Sequence, residues 1–363
     1  TLVVKGEIPV GKDPRTLCFT PDSAKVLVSN HGSANISVVS LDRAAEVAQY
    51  PVGLMPYGIV TDGTNIYVAE LASGNVGVVN LETGRQVGRI AVEAFPAGLA
   101  LTADRKRLLV THLFSGDVTD IDIRTLTVSS TVSTGSDISL NQGIVIGPGG
   151  EKAYLPQTRS NTDNTALLFD STVFPVVNVL GLAELKLLVR ERITLDTADE
   201  PVNMPFAVAV TAEEDTVFVT NAGSDDVSVI DLRNNRGLEH IAVGANPRGI
   251  AITPDGAQVF VNNVLDGTLS VINTDELNVT HTIDLTDIPL AQTVLQGKRI
   301  FNSASEPLLT TDNWISCAIC HFDGMMDART WLGFPDGPRN TPSLLGVSRT
   351  LPIHWSGDLD ELQ

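Results

Sequence analysis

Three features of this 363-residue sequence predict a mainly β protein, a β-propeller followed by a small α-helical domain. The first is self-similarity with a period of about 40 residues, the length that four short antiparallel strands and their turns occupy in one propeller blade. The second is the make-up of each unit, in which alternating or β-branched runs are separated by Gly, Asp, Asn and Pro. The third is the point at which this pattern ends. After Asp287-Ile288-Pro289 the period of two stops, and residues 290–301 read as a helix with apolar positions Leu290, Val294, Leu295 and Ile300. The expected division is a propeller over 1–285 and a second domain over 286–363.

The repeat is clearest in the unit that opens at Pro247. An inner strand, Pro247 to Ile252, precedes the turn Thr253-Pro254-Asp255-Gly256. Val259 to Asn263, Leu269 to Ile272 and Val279 to Leu285 then follow as strands. The same order starts at Pro14, Pro56, Pro96, Asn141 and Pro205, so six complete four-stranded blades are readable. The copy Phe218-Val219-Thr220-Asn221 with Val227-Ser228-Val229-Ile230-Asp231-Leu232 resembles the YVTN-type propeller repeat over residues 1–285. That resemblance implies seven blades in a parent protein. Leu2 to Pro9, which reads as an outermost strand with no blade ahead of it, fits a parent that begins earlier. Such propellers serve as surface modules, binding platforms and enzymes, so the repeat fixes fold and leaves function open.

Each second strand closes on a polar residue: Asn30, Glu70, His112, Gln157, Asn221 and Asn263. An Asn in this column can bond the backbone of the following turn, which is a structural role. Glu70 and His112 depart from it and are the candidates to hold a metal, water or substrate at the propeller mouth. Arg15, Tyr57, Gln142 and Arg248, each just after the start of an inner strand, are expected to line the same mouth. In the fourth blade the usual short turn grows into Thr158 to Pro175, a length that suggests a docking loop. Its Asn161-Thr162-Asp163-Asn164-Thr165 run makes calcium a weaker expectation, because it carries few acidic ligands.

The chemistry is concentrated in Cys317-Ala318-Ile319-Cys320-His321. Two thiols one helical turn apart can add across the vinyl groups of a haem, with the imidazole placed to bind the iron. A redox dithiol would leave the histidine incidental. A zinc site would need a second ligand pair, and only Cys18 remains, in an apolar alternating run that predicts a buried, inert thiol. The spacing therefore points to covalent haem c, with Cys317 and Cys320 as thioether attachments and His321 as the proximal ligand. All three tryptophans, Trp314, Trp331 and Trp355, lie in this segment and none in the propeller, which suits aromatic walls around a haem.

The residue order here resembles bacterial di-haem cytochrome c peroxidases and their relatives. The resemblance rests on the run Leu295 to Phe301, on Ser316 to His321, on Arg339-Asn340-Thr341-Pro342-Ser343-Leu344-Leu345-Gly346-Val347 and on Pro352 to Leu359. It implies a cytochrome c-like fold and peroxidase-type redox chemistry. Relatives carry a second C-x-x-C-H, which is absent here. A further haem domain in a longer parent is therefore expected, with this domain cut at its C-terminal end. The sixth iron position decides between chemistry, which needs it open, and electron transfer, which prefers it filled. Met325 and Met326 are too close in sequence to His321 to reach the opposite face. His354 is the free candidate, as sixth ligand, as distal acid or base, or as a packing residue.

The net charge of −19 argues against nucleic acid and anionic membranes and suits a cationic redox partner, although solubility alone would explain it. The sequence contains no signal peptide and no apolar span of about 20 residues. Because haem c is attached outside the cytoplasm, a periplasmic or extracellular location is expected, with an export signal removed. Two functions follow. One is a haem-dependent oxidoreductase of the peroxidase type with the propeller as lid or docking platform. The other is a non-enzymatic electron-transfer cytochrome whose propeller binds a partner or builds a surface assembly.

Overall fold

The computed structural model describes residues 2–349, apart from 167, 169–170, 196–200, 308–309, 311–312 and 335–336. His354 and Trp355 lie outside the described residues. The chain is mainly β and forms six consecutive blades, as the repeat predicts.

Blade 1 comprises β1 (Pro14–Phe19), β2 (Lys25–Asn30), β3 (Asn35–Ser40) and β4 (Ala45–Pro51). Blade 2 comprises β5 (Pro56–Thr61), β6 (Asn65–Glu70), β7 (Asn75–Asn80) and β8 (Gln86–Ala91). Blade 3 comprises β9 (Pro96–Leu101), β10 (Arg107–His112), β11 (Asp117–Asp122) and β12 (Thr127–Ser133). Blade 4 is irregular. Its inner strand is broken into β13 (Ile138–Ser139) and β14 (Val145–Ile146), both paired with the long β15 (Lys152–Ser160). β16 (Val173–Gly181) pairs with β15 and carries β17 (Lys186–Leu187) and β18 (Ile193–Thr194) on its outer side. Blade 5 comprises β19 (Pro205–Val210), β20 (Thr216–Asn221), β21 (Asp226–Asp231) and β22 (Arg236–Ala242). Blade 6 comprises β23 (Pro247–Ile252), β24 (Gln258–Asn263), β25 (Thr268–Asn273) and β26 (Asn278–Asp284).

Local chemistry repeats with the blades. A proline opens the innermost strand in five of them, and a bulge follows within three residues of it, where a residue without an N–H weakens the ladder least. The turn to the second strand is built on a threonine: the hydroxyls of Thr20, Thr102 and Thr253 accept from the backbone N–H of Lys25, Arg107 and Gln258. Between blades the spacing is close. A Cβ on Gly58 would lie 2.3 Å from the Ala97 carbonyl oxygen, so blades 2 and 3 can meet here only through glycine. Gly58→Ala should push them apart and cost about 1–3 kcal/mol in urea unfolding, the usual penalty of overpacking.

Among the described residues, the packing of blade on blade stops between blade 6 and blade 1. Innermost strands pack in series, β1 on β5, β5 on β9 and β19 on β23, with the second strand β15 of blade 4 on β19, whereas among the described residues β23 and β1 share no comparable packing. Exposure shows the same break. Leu17 of β1 is 58% exposed, although its counterparts in blades 2 and 3, Ile59 and Leu99, are 4% and 9% exposed. Across the gap, Asn262 is exposed where Ser29, Thr111 and Thr220 of other blades are buried. Leu2 to Pro9 forms no strand and is largely exposed, which corrects its reading as an outermost strand. The Cys18 thiol, half-buried in the core of blade 1, is pushed up to about 12 by burial, in line with an inert thiol.

Beyond blade 6 the chain turns back over one end of the ring. α1 (Gln292–Asn302) begins two residues later than the periodicity predicts and is held to blade 6 by Arg299, which donates to the Leu265 carbonyl and pairs with Asp266 at 2.7 Å. α2 (Cys317–Cys320) is the motif turn, and β27 (Thr330–Trp331) pairs with β28 (Arg339–Asn340). Trp314, Ala318, Ile319, Phe322 and Trp331 are buried in one core with Tyr57, Ala97, Leu113, Leu140 and Met204 of blades 2 to 5. Propeller and C-terminal segment thus share a hydrophobic centre. Among the described residues no helix is long and apolar enough to cross a membrane.

Candidate functional site

A cleft of ≈ 350 Å³ lies in the C-terminal segment and is lined by Cys317, Cys320, His321, Trp331, Phe334, Arg339 and Pro342, among others. That volume falls within the usual range for small-molecule and cofactor sites. The α2 turn brings both thiols and the imidazole to one wall. His321 Nδ1 lies 3.0 Å from the Pro342 carbonyl oxygen. A carbonyl can only accept, so Nδ1 carries the proton and Nε2 is left with its lone pair, the arrangement that orients a metal-bound histidine.

Burial raises both thiols above their ordinary range. For Cys320 the neighbouring Asp327 carboxylate adds to the effect, so both groups stand as neutral thiols and not as thiolates. Asp327 also accepts from Trp331 Nε1 at 2.7 Å and from the Arg329 backbone N–H at 2.9 Å. Arg329 reaches back to the Ser136 and Ile138 carbonyls of blade 4. Trp331 is therefore fixed as a wall of the cleft. Trp314 is placed differently: it is buried in the shared core, and its carbonyl accepts from Asn203 Nδ2 at 2.7 Å.

Immediately after the histidine, Phe322 is fully buried against the ring, with Phe206 6.2 Å away between ring centroids. Asp323 follows in the left-handed region at φ 50°, and its carboxylate meets Arg15 of blade 1 at 2.7 Å and Arg248 of blade 6 at 2.9 Å. Burial opposes its charge, but the two guanidiniums outweigh burial and hold the carboxyl below its usual range. Of the expected mouth residues, Arg15 and Arg248 are engaged by this carboxylate, and Tyr57 is buried beneath the segment. Gln142 donates to the Pro205 carbonyl at 2.8 Å.

The polar column takes the structural role. All six residues are fully buried, and Asn30, Asn221 and Asn263 donate to Ser37, Ser228 and Ser270 on the third strand of the same blade. Glu70 accepts from the Gly53 backbone at 2.8 Å and pairs with Arg89 at 3.1 Å. His112 donates from Nδ1 to the Ala94 carbonyl at 3.1 Å and accepts at Nε2 from Thr119 at 2.8 Å. Their placement at the mouth is corrected: both are fully buried over the third strand of their own blade, Glu70 against Gly77 and His112 against Thr119.

Burial lowers the His112 pKa below its ordinary 6.5, against smaller opposing effects of Glu93 and Asp117. The unfolded chain then binds the proton first, so stability should fall as pH drops below about 6.5. His112→Asn should flatten that part of a stability-against-pH curve measured by urea unfolding.

The blade 4 insertion forms a longer hairpin than the sequence suggests. The Asn161 and Asn164 amides are bonded to Ser171 and Thr172 on the returning chain. Among the described residues no three His, Cys, Asp or Glu side chains gather as a metal site, so the calcium expectation finds no support. The hairpin docks within the chain, where the Thr162 carbonyl accepts from the Leu332 backbone at 3.0 Å.

No protein family and no curated protein matches this chain. Among solved structures it is similar to Kuenenia stuttgartiensis hydrazine synthase, with 15% identity, a TM-score of 0.53, and coverage of 75% of this chain and 99% of that one. At that identity the likeness shows the propeller fold alone.

The donor set of the cleft fits haem c: two thiols one turn apart, an imidazole with one nitrogen tied to a carbonyl, and an aromatic wall. Reasoning from sequence missed Pro342 as the partner of His321, and also Asp323 and Asp327. One signal was available, since arginine follows the opening proline only in blades 1 and 6, the two that flank the gap.

Proposed function

We propose that this chain is an extracytoplasmic haem c redox protein, an oxidoreductase of the di-haem cytochrome c peroxidase group built on a propeller platform. The observation that carries the reading is the His321 Nδ1 bond to the Pro342 carbonyl beside two neutral thiols in one cleft. In this reading Cys317 and Cys320 hold the haem through thioethers, and His321 Nε2 binds its iron. When bound, the haem supplies one-electron chemistry. Trp331, locked by Asp327, keeps water from one side. His354 is the proposed sixth ligand or distal acid/base, and a low-spin or high-spin ferric spectrum separates the two.

The periplasm or cell surface is the proposed location, a cationic protein the proposed partner, and a further haem domain is proposed for a longer parent. The electron-transfer reading has support of its own. Among the described residues the cleft is lined only from 315–342, so the propeller lends it no acid or base. The test is a pyridine haemochrome taken after acetone extraction of the purified protein. Retention of a c-type spectrum supports the reading, and complete loss of haem ends it.

A further inference from the structure

We infer that Asp323 is a positioning residue that ties the turn carrying His321 to blades 1 and 6 at once, and so fixes the imidazole in the cleft. The inference rests on the haem reading above. Its geometric basis is independent of it. Blades 1 and 6 do not pack on each other as the other blades do, yet the Arg15 and Arg248 guanidiniums converge on one carboxylate.

Each arginine is itself anchored. Arg15 also pairs with Asp13 at 3.2 Å, and Arg248 donates to Asn246 at 2.7 Å while its guanidinium stacks 5.5 Å from the Phe322 ring. The carboxylate is equally constrained. Its residue sits in a tight turn in which the Gly324 N–H donates to the His321 carbonyl at 2.9 Å, so Asp323 cannot shift without turning His321. Removing either arginine leaves a buried charge incompletely paired, which is costly.

The test uses the full chain, loaded with haem, in wild-type form and as Asp323→Asn, which preserves shape and tolerates the left-handed backbone. Arg15→Gln is the second variant, placed outside the haem segment. Amide hydrogen exchange is followed in β1 and β23, with β9 as internal control, and the reduction potential is measured. Both variants should speed exchange about tenfold or more in β1 and β23 together while sparing β9. Asp323→Asn should raise the potential and Arg15→Gln should lower it, because one removes a negative and the other a positive charge near the iron. Loaded variants with unchanged exchange in both strands overturn the clamp alone. Wild-type protein without covalent haem overturns the reading of the site, and the exchange in β1 and β23 still decides the clamp.

Discussion

Cys317→Ser/Cys320→Ser is expected to fold as a propeller and to keep no haem through denaturation and acetone extraction. Thioether bonds survive unfolding, whereas an iron–imidazole bond does not, so only the sulfurs can account for haem on a denatured chain. Each single variant should keep a reduced amount through its remaining thioether. The substitution changes little else. Cys317 is partly exposed and lies on a short turn, and Cys320 packs at the edge of the shared core, so a hydroxyl there costs about 1–3 kcal/mol. Six blades with their own hydrophobic cores should tolerate that loss. Haem staining of a denaturing gel reads the first claim, and the far-ultraviolet spectrum reads the second. Haem on the double variant would mean attachment elsewhere.

How far the sequence leads is instructive at particular residues. The blades are legible because the strand signal is local: a proline, two residues to a bulge, a threonine turn and a period of two recur within about 40 residues. Residues at the ends of strands are less legible. Alternation says that Glu70 and His112 lie on one face of a blade, but it does not say that both are fully buried there and taken up by partners within the ring. Contacts far apart in sequence are legible least of all. Arg15 and Asp323 are separated by 308 residues, and no local pattern links them. The break in packing between blades 6 and 1 has the same character, since six repeats can be counted while the exposure of Leu17 depends on what stands beside blade 1. The Cys-x-x-Cys-His motif is the opposite case, because both thiols and the imidazole fall within five residues.

Phe322→Ala is expected to destabilise the protein by about 3–5 kcal/mol, as for a large aromatic removed from a packed core. Phe322 is fully buried, stacks near Phe206 of blade 5 and the Arg248 guanidinium of blade 6, and belongs to the core that joins the segment to blades 2 to 5. A cavity there is walled by several blades that cannot all collapse into it, which favours the upper part of that range. Leu17→Ala is the control, a smaller apolar truncation on a face of blade 1 that is exposed among the described residues, and should change stability by no more than about 0.5 kcal/mol. Urea unfolding followed by tryptophan fluorescence suits both, because every tryptophan lies in the C-terminal segment. Loss confined to that segment would appear as an early fluorescence transition, with the β signal melting later. A single shared transition, moved to lower urea by Phe322→Ala alone, is the expected result, because one core serves both parts. Equal, small effects of the two truncations would show that the segment does not rest on the ring through Phe322.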